Sequence, residues 1–233
     1  MATQKQHSWI RRRVETALVH GMNRAYETVR VNPEHFLLQL RTAYDLPINS
    51  FQGVYSLDVG VLDDVATRVI RGGMRAAAME GAGFGLGGIF TVVPDLGILA
   101  SITLRTVQKL SLLYGFEYNT EEETAELWIA AASAAGVDVS RELIEKEVVT
   151  RFVPRIIRRI AVQASGEFVE KWSARLIPLA SSAIGATLNY FFVRAWGARA
   201  HSHFRQRYLE RRQKLLAGQN LGPKVIEASV TSN

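Results

Sequence analysis

Between Glu80 and Arg105 the chain reads GAGFGLGGIFTVVPDLGILASITL, residues 81–104, with Asp95 as its single charge. A continuous helix of that length would span about 36 Å, against about 30 Å for the apolar core of a bilayer. Length therefore allows membrane insertion. Pro94-Asp95 opposes a simple span, because a central Asp costs roughly 2.5–3.5 kcal/mol on insertion scales. The glycines at 81, 83, 85 and 87 also weaken a lone helix in water, by about 1 kcal/mol each. A second stretch, LIPLASSAIGATLNYFFV at 176–193, carries no charge and includes Pro178 and Asn189. Burial as a helical hairpin inside a soluble or peripheral protein accounts for both stretches, and we favour it over spanning.

The glycine cluster 83–88 formally satisfies G-x-G-x-x-G. A dinucleotide site needs a strand before those glycines and a helix opening at them. The preceding residues, Arg71-Gly72-Gly73-Met74 and an alanine run, read as helix, and no Lys-Ser or Lys-Thr follows for a phosphate loop. A helix-packing role fits better. Gly81/Gly85 and Gly83/Gly87, with Gly88 beside them, put small residues at four-residue steps, which lets two backbones approach closely. Gly185, with Ser182, Ala183 and Ala186, offers a matching small surface on the second stretch.

The flanking sequence predicts helix after helix. Trp9, Val14, Leu18, Met22 and Ala25 recur at three- to five-residue steps over about 8–30. Asn32-Pro33 is a helix start, with Asn as cap and Pro at the first helical position, and that helix extends to about Tyr44. Residues 46–58 read as a loop. Leu62, Val65, Val69 and Ala76 mark a helix ending near Glu80, and another runs from about Leu96 to Tyr114, where Gly115 stops it. Thr120 with Glu123 forms a capping box. A helix from Ser140 to about Ile160 bends at Pro154, and helices over about 166–174 and 179–213 follow. No alternating strand pattern and no fixed-period repeat interrupts them. The expectation is all-α: one helical bundle with a glycine-rich apolar hairpin, N-terminal helices (1–60) packed on a core domain (60–215), and a disordered tail (216–233).

Composition narrows the chemistry. With 48% apolar residues in 233 the chain can bury a single core. Zero cysteine excludes disulfides, thiolate metal sites and a Cys nucleophile, and fits a reducing compartment. The start, MATQKQHSWIRRR, has no secretory apolar run. The net charge of +6 is unevenly spread. Acids dominate from Gly115 to Glu147, and bases from Arg194 to Lys214, where Glu210 is the lone acid. Further bases cluster at Arg11–Arg13 and at Arg151, Arg155, Arg158 and Arg159. An anionic partner, or the acidic stretch folding back on the basic one, would balance the charge.

Trp196, Ala200, Phe204 and Tyr208 step by four along one face of the last helix, with Arg199, Arg205, Arg207, Arg211 and Arg212 on its other faces. Such a helix can lie in an anionic membrane interface. Alternatively its stripe packs on the core. Nucleic-acid contact has little support, because no reader motif accompanies the charge. His201 and His203, two apart on a helix, diverge and make poor metal ligands. No metal site, cofactor motif or G-x-S-x-G elbow is present.

Glu80-Gly81 with the glycine cluster, Pro94-Asp95-Leu96, Leu104-Arg105 and Tyr114-Gly115-Phe116 resemble the EcsC family, as do Ile177-Pro178-Leu179, Gly185-Ala186, Asn189-Tyr190-Phe191 and the basic run 194–204. The resemblance covers roughly 60–215. It implies little chemistry: the family's namesake is encoded beside an ABC transporter, and no activity is established for the family. Of the polar residues in these motifs, Glu80, Asp95, Arg105 and Asn189 sit in or beside apolar sequence, where an unpaired charge is costly. A structural role is the first reading, with Glu80 pairing with Arg105 across packed helices and Asp95 near a helix start. Ligand binding and acid catalysis by Glu80 and Asp95 are the alternatives. The leading expectation is a non-enzymatic membrane-associated protein touching anionic lipid, with a membrane-protein partner. A binder of lipid or another small apolar ligand comes next, and a hydrolase last.

Overall fold

The computed structural model describes residues 2–28, 30–84, 89–139, 149–173 and 182–220. Local chemistry starts and stops the helices where capping rules require. The helix α1 spans Ala2–Thr28. The Asn32 side chain then accepts the His35 amide at 2.9 Å, with Pro33 in the first turn, and opens α2 (Pro33–Thr42). The segment read as loop holds a 3-10 turn, Phe51–Ser56. Leu46, Ile48, Phe51 and Val54 are buried, so this segment plugs one end of the core.

α3 (Val59–Phe84) and α4 (Ile89–Leu113) follow. Gly115, at φ +81°, takes the left-handed conformation that ends α4, and the Phe116 amide closes back on the Ser111 carbonyl at 2.9 Å. Thr120 caps α5 (Glu121–Ala134) by accepting the Glu123 amide at 3.1 Å. The Glu123 carboxylate accepts the Asn119 amide at 3.1 Å, one residue earlier than a strict capping box would have it.

The last two helices are α6 (Val149–Ser173), with Pro154 inside it, and α7 (Ser182–Asn220). α6 includes the separate 166–174 helix read from sequence. The expected helix start at Ser140, the apolar run up to Ser181 and the tail beyond Asn220 lie outside the described residues. No strand occurs among the described residues, and the fold is an all-α bundle.

The glycines of closest helix approach set the register. α3 and α7 form the largest interface and run antiparallel. On α3, Ile70 packs against Gly197 and Gly73 against Val193, while Asp63 meets Arg205. Gly73 also faces Thr106, so α4 runs back along α3. α1 lies beside α4 in the same direction: Gly21 touches Gly97, and the Val31 amide donates to the Gln108 Oε1 at 3.0 Å. α6 packs on α1 and α5, and α5 on α7. The glycines singled out from sequence are placed differently. Gly81 and Gly83 lie in the last turn of α3 and Gly185 in the first turn of α7, while Gly85, Gly87 and Gly88 lie outside the described residues.

Candidate functional site

The four-residue step from Trp196 to Tyr208 puts one face of α7 into the core. Trp196 is 5% exposed, and Ala200, Phe204 and Tyr208 are fully buried. Tyr208 stacks on Tyr55 at 5.4 Å, and its hydroxyl donates to the carbonyls of Val54 and Leu57 at 3.1 and 3.0 Å. Phe204 packs on Phe116. This corrects the expectation that Trp196 meets a bilayer: the apolar stripe is already used by the protein.

The polar sides of α7 carry two matching clamps. His201 and Arg205, four apart, share one side and hold Asp63 of α3. The His201 Nε2 lies 3.0 Å from Oδ1, and the Arg205 Nε donates to Oδ2 at 2.8 Å. The Tyr114 hydroxyl adds a third bond to Oδ1 at 2.7 Å. His203 and Arg207, two positions on and therefore about 200° around the helix, hold Glu126 of α5. Their Nε2 and Nε lie 2.8 and 3.0 Å from Oε1. Arg207 also bridges to Glu210 on its own helix. The pattern satisfies buried charge by pairing, as the low interior dielectric demands.

Electrostatics follow from this geometry. Burial pushes the Asp63 carboxyl up, yet the bonds from Arg205, Tyr114 and His201 outweigh it and leave the group below its ordinary value. Burial and the Asp63 carboxylate both raise the Tyr114 phenol, which stays protonated as a donor. The Asp63 bond raises the Arg205 guanidinium. Burial lifts Tyr55 to about 12 despite Arg211 nearby.

The other α7 arginines also face the protein. Arg199 donates to the carbonyl of Ala134, the last residue of α5, at 2.7 Å, where the helix dipole favours a cation. The Arg211 guanidinium lies 5.6 Å from the rings of both Tyr55 and Phe116. The Nε of Arg212 is buried with no hydrogen-bond partner among the described residues. One acid of the acidic stretch, Glu126, thus does fold back on the basic end.

Glu80, Asp95, Arg105 and Asn189 form no cluster. Because Gly73 faces Thr106, Glu80 stands seven residues beyond the level of Arg105, about 10 Å along α3. No ion pair joins them among the described residues, and Arg105 is exposed. α4 begins at Ile89, so Asp95 sits in its second turn rather than at its start, with its side chain outside the described part. Asn189 is buried and engaged. Asp63, Glu126 and Tyr114, which carry the clamps, escape a reading of the sequence. The one local signal is the His–Arg spacing of four, repeated at 201/205 and 203/207.

Among the described residues no three His, Asp or Glu side chains converge to hold a metal ion. A void of about 10 Å³ lies between α1, α4, α5, α6 and α7, lined by Leu18, Met22, Ala100, Ile160 and Phe192 among others. It is about the size of one water and far too small for a lipid chain. The exposed face of α6 carries Arg151, Arg155, Arg158 and Arg159, at spacings of four, three and one. No acid occurs between Val149 and Gly166.

A family model described as the EcsC protein family matches residues 2–209. The chain belongs to the EcsC family. The match begins at residue 2, so the N-terminal helices fall within the family's shared region, upstream of the boundary near 60. Protein EcsC of Bacillus subtilis (strain 168) is 24% identical over 202 residues, covering 85% of this chain and 86% of that one. Uncharacterized protein YdbA of the same strain is 23% identical over 150 residues, covering 60% of this chain and 55% of its own length. No solved structure matches this EcsC-family chain. Among the described residues no helix is long and apolar enough to cross a membrane.

Proposed function

We propose that this EcsC-family protein is a peripheral, non-enzymatic accessory at the cytoplasmic face of an anionic membrane, beside a membrane-protein partner. The observation that carries the reading is the α6 face. Arg151, Arg155, Arg158 and Arg159 stand exposed on one side of a helix, in a run without acids. A juxtamembrane cluster of this kind is attracted to anionic headgroups by about 1 kcal/mol per arginine. The arginines of α7 contribute less, because Arg199, Arg205, Arg207 and Arg211 already have partners within the protein. A link to transport rests on the family resemblance alone.

The rival readings have weaker support. A ligand binder needs a cavity, and the void among the described helices holds about 10 Å³. A hydrolase using Glu80 and Asp95 needs further groups around them, and the ordered polar geometry is at Asp63 and Glu126 instead, where both carboxylates are occupied by His and Arg.

Co-sedimentation with vesicles tests the reading. Vesicles of phosphatidylcholine with phosphatidylglycerol should carry the protein down, pure phosphatidylcholine should not, and added salt should release it. Joint replacement of Arg155, Arg158 and Arg159 by Gln should weaken the binding. Equal binding to both vesicles, or binding to neither, overturns the proposal.

A further inference from the structure

At the end of the bundle where α3 finishes, three large apolar side chains stand in solvent. Met79 of α3 is 77% exposed, Phe191 of α7 51% and Ile98 of α4 37%. The three helices pack on one another, and Gly73 touches both Thr106 and Val193, which gives them a common level. From that level Met79 lies six residues along α3, about 9 Å; Ile98 lies eight residues back along α4, about 12 Å; Phe191 lies two back along α7, about 3 Å. All three displacements point the same way, because α4 and α7 run antiparallel to α3. The chain joining Glu80 to Gly97 has one charge, Asp95, so the apolar character continues in sequence between Met79 and Ile98.

Each of these helices also carries an exposed arginine at the common level itself. Arg75 is two residues from Gly73, Arg105 one from Thr106 and Arg194 one from Val193. All three therefore fall within about 3 Å of a single plane, with the apolar side chains beyond it on one side. Singly exposed apolar residues are ordinary. An apolar end above a level ring of arginines is the arrangement that fits a bilayer surface, where cations sit among phosphates and apolar groups reach about 5–10 Å into the headgroup boundary.

We infer that the protein docks end-on, with Met79, Ile98 and Phe191 dipping into an anionic bilayer and Arg75, Arg105 and Arg194 at the phosphate level. The inference rests on the membrane-surface reading and adds which end faces the lipid. Glu80, half-exposed beside Met79, is the acid at this end that opposes docking.

The absence of native cysteine makes the test clean. Single replacements Met79→Cys, Ile98→Cys and Phe191→Cys, with Leu38→Cys and Leu216→Cys as exposed controls on other parts of the surface, are labelled in the full chain with an environment-sensitive fluorophore. Vesicles of phosphatidylcholine with phosphatidylglycerol should shift the emission of the first three to the blue and shield them from iodide, leaving the controls unchanged. Arg75→Gln, Arg105→Gln and Arg194→Gln should each weaken vesicle affinity by about fivefold, and Glu80→Gln should strengthen it. Vesicle binding with unshifted labels at 79, 98 and 191, or with shifted controls, overturns the end-on geometry while leaving the membrane reading standing. A shift that grows with protein concentration and needs no vesicles would mean that a second copy covers this end, and it too overturns the inference. Failure of the unlabelled protein to bind the vesicles sinks the membrane reading itself.

Discussion

His201 and His203, two residues apart on α7, bind carboxylates on different helices: Asp63 of α3 at 3.0 Å and Glu126 of α5 at 2.8 Å. Each is backed by an arginine four residues on. α7 is thereby tied on both polar sides, while its apolar face fills the core. This accounts for a helix dense in arginine that is nonetheless central to the fold.

Removing either clamp should loosen the bundle. Asp63→Ala and Glu126→Ala should each destabilise the protein by about 1–3 kcal/mol, because histidine and arginine donors lose their shared acceptor. Thermal midpoints should fall by roughly 2–4 °C per kcal/mol for a domain of this size. The two losses should be nearly additive, since the clamps share no side chain. Thermal denaturation of the single and double variants checks this.

Acid should release the Asp63 clamp. Its folded-state carboxyl lies below the ordinary value of 3.8, so the bond contributes stability above that pH and loses it as pH falls through the lowered value. The stability gap between the native chain and Asp63→Asn should be constant near neutrality and narrow only below about pH 4. Denaturant midpoints measured across that range decide the point.

Two glycines should respond with opposite signs. A Cβ on Gly21 would lie 2.6 Å from the Cα of Gly97, so Gly21→Ala must push α1 away from α4 and should cost about 1–3 kcal/mol. Gly72 has nothing within 4 Å of the same position and sits inside α3, so Gly72→Ala should stabilise by about 0.5–1 kcal/mol. Equilibrium unfolding of both variants gives the comparison.

Trp196 belongs to the core and should behave so. Trp196→Ala should cost about 3–5 kcal/mol of stability, as large-to-small core changes do. At a temperature where the variant remains folded, its vesicle affinity should match that of the native protein. Loss of lipid binding without loss of stability would return Trp196 to the membrane interface.

Much of the fold was legible because it is local. The Asn32-Pro33 start, the Thr120 cap and the Gly115 stop are read within a few residues, and each is found in place. The α7 stripe was legible as a face, but whether that face met core or lipid depends on what surrounds it. The clamps were not legible, since Asp63 lies 138 residues from His201 and Glu126 lies 77 from His203. Nothing local separates Asp63 from Asp58 or Asp64. The glycine cluster drew attention by its density, whereas the close approaches occur at isolated Gly21, Gly73 and Gly197, where a crossing helix supplies the reason. The register that Gly73 sets also explains why Glu80 and Arg105, plausible partners in sequence, are a full two turns out of step.

Fractionation of cells producing the protein tests the central claim most directly, with the membrane pellet washed in turn with high salt, alkaline carbonate and mild detergent. A peripheral protein held by arginines should pellet with the membranes and leave in the salt or carbonate wash. Release only by detergent would mean that apolar segments are embedded in the bilayer, and recovery in the soluble fraction before any wash would mean no membrane attachment; either result contradicts the account.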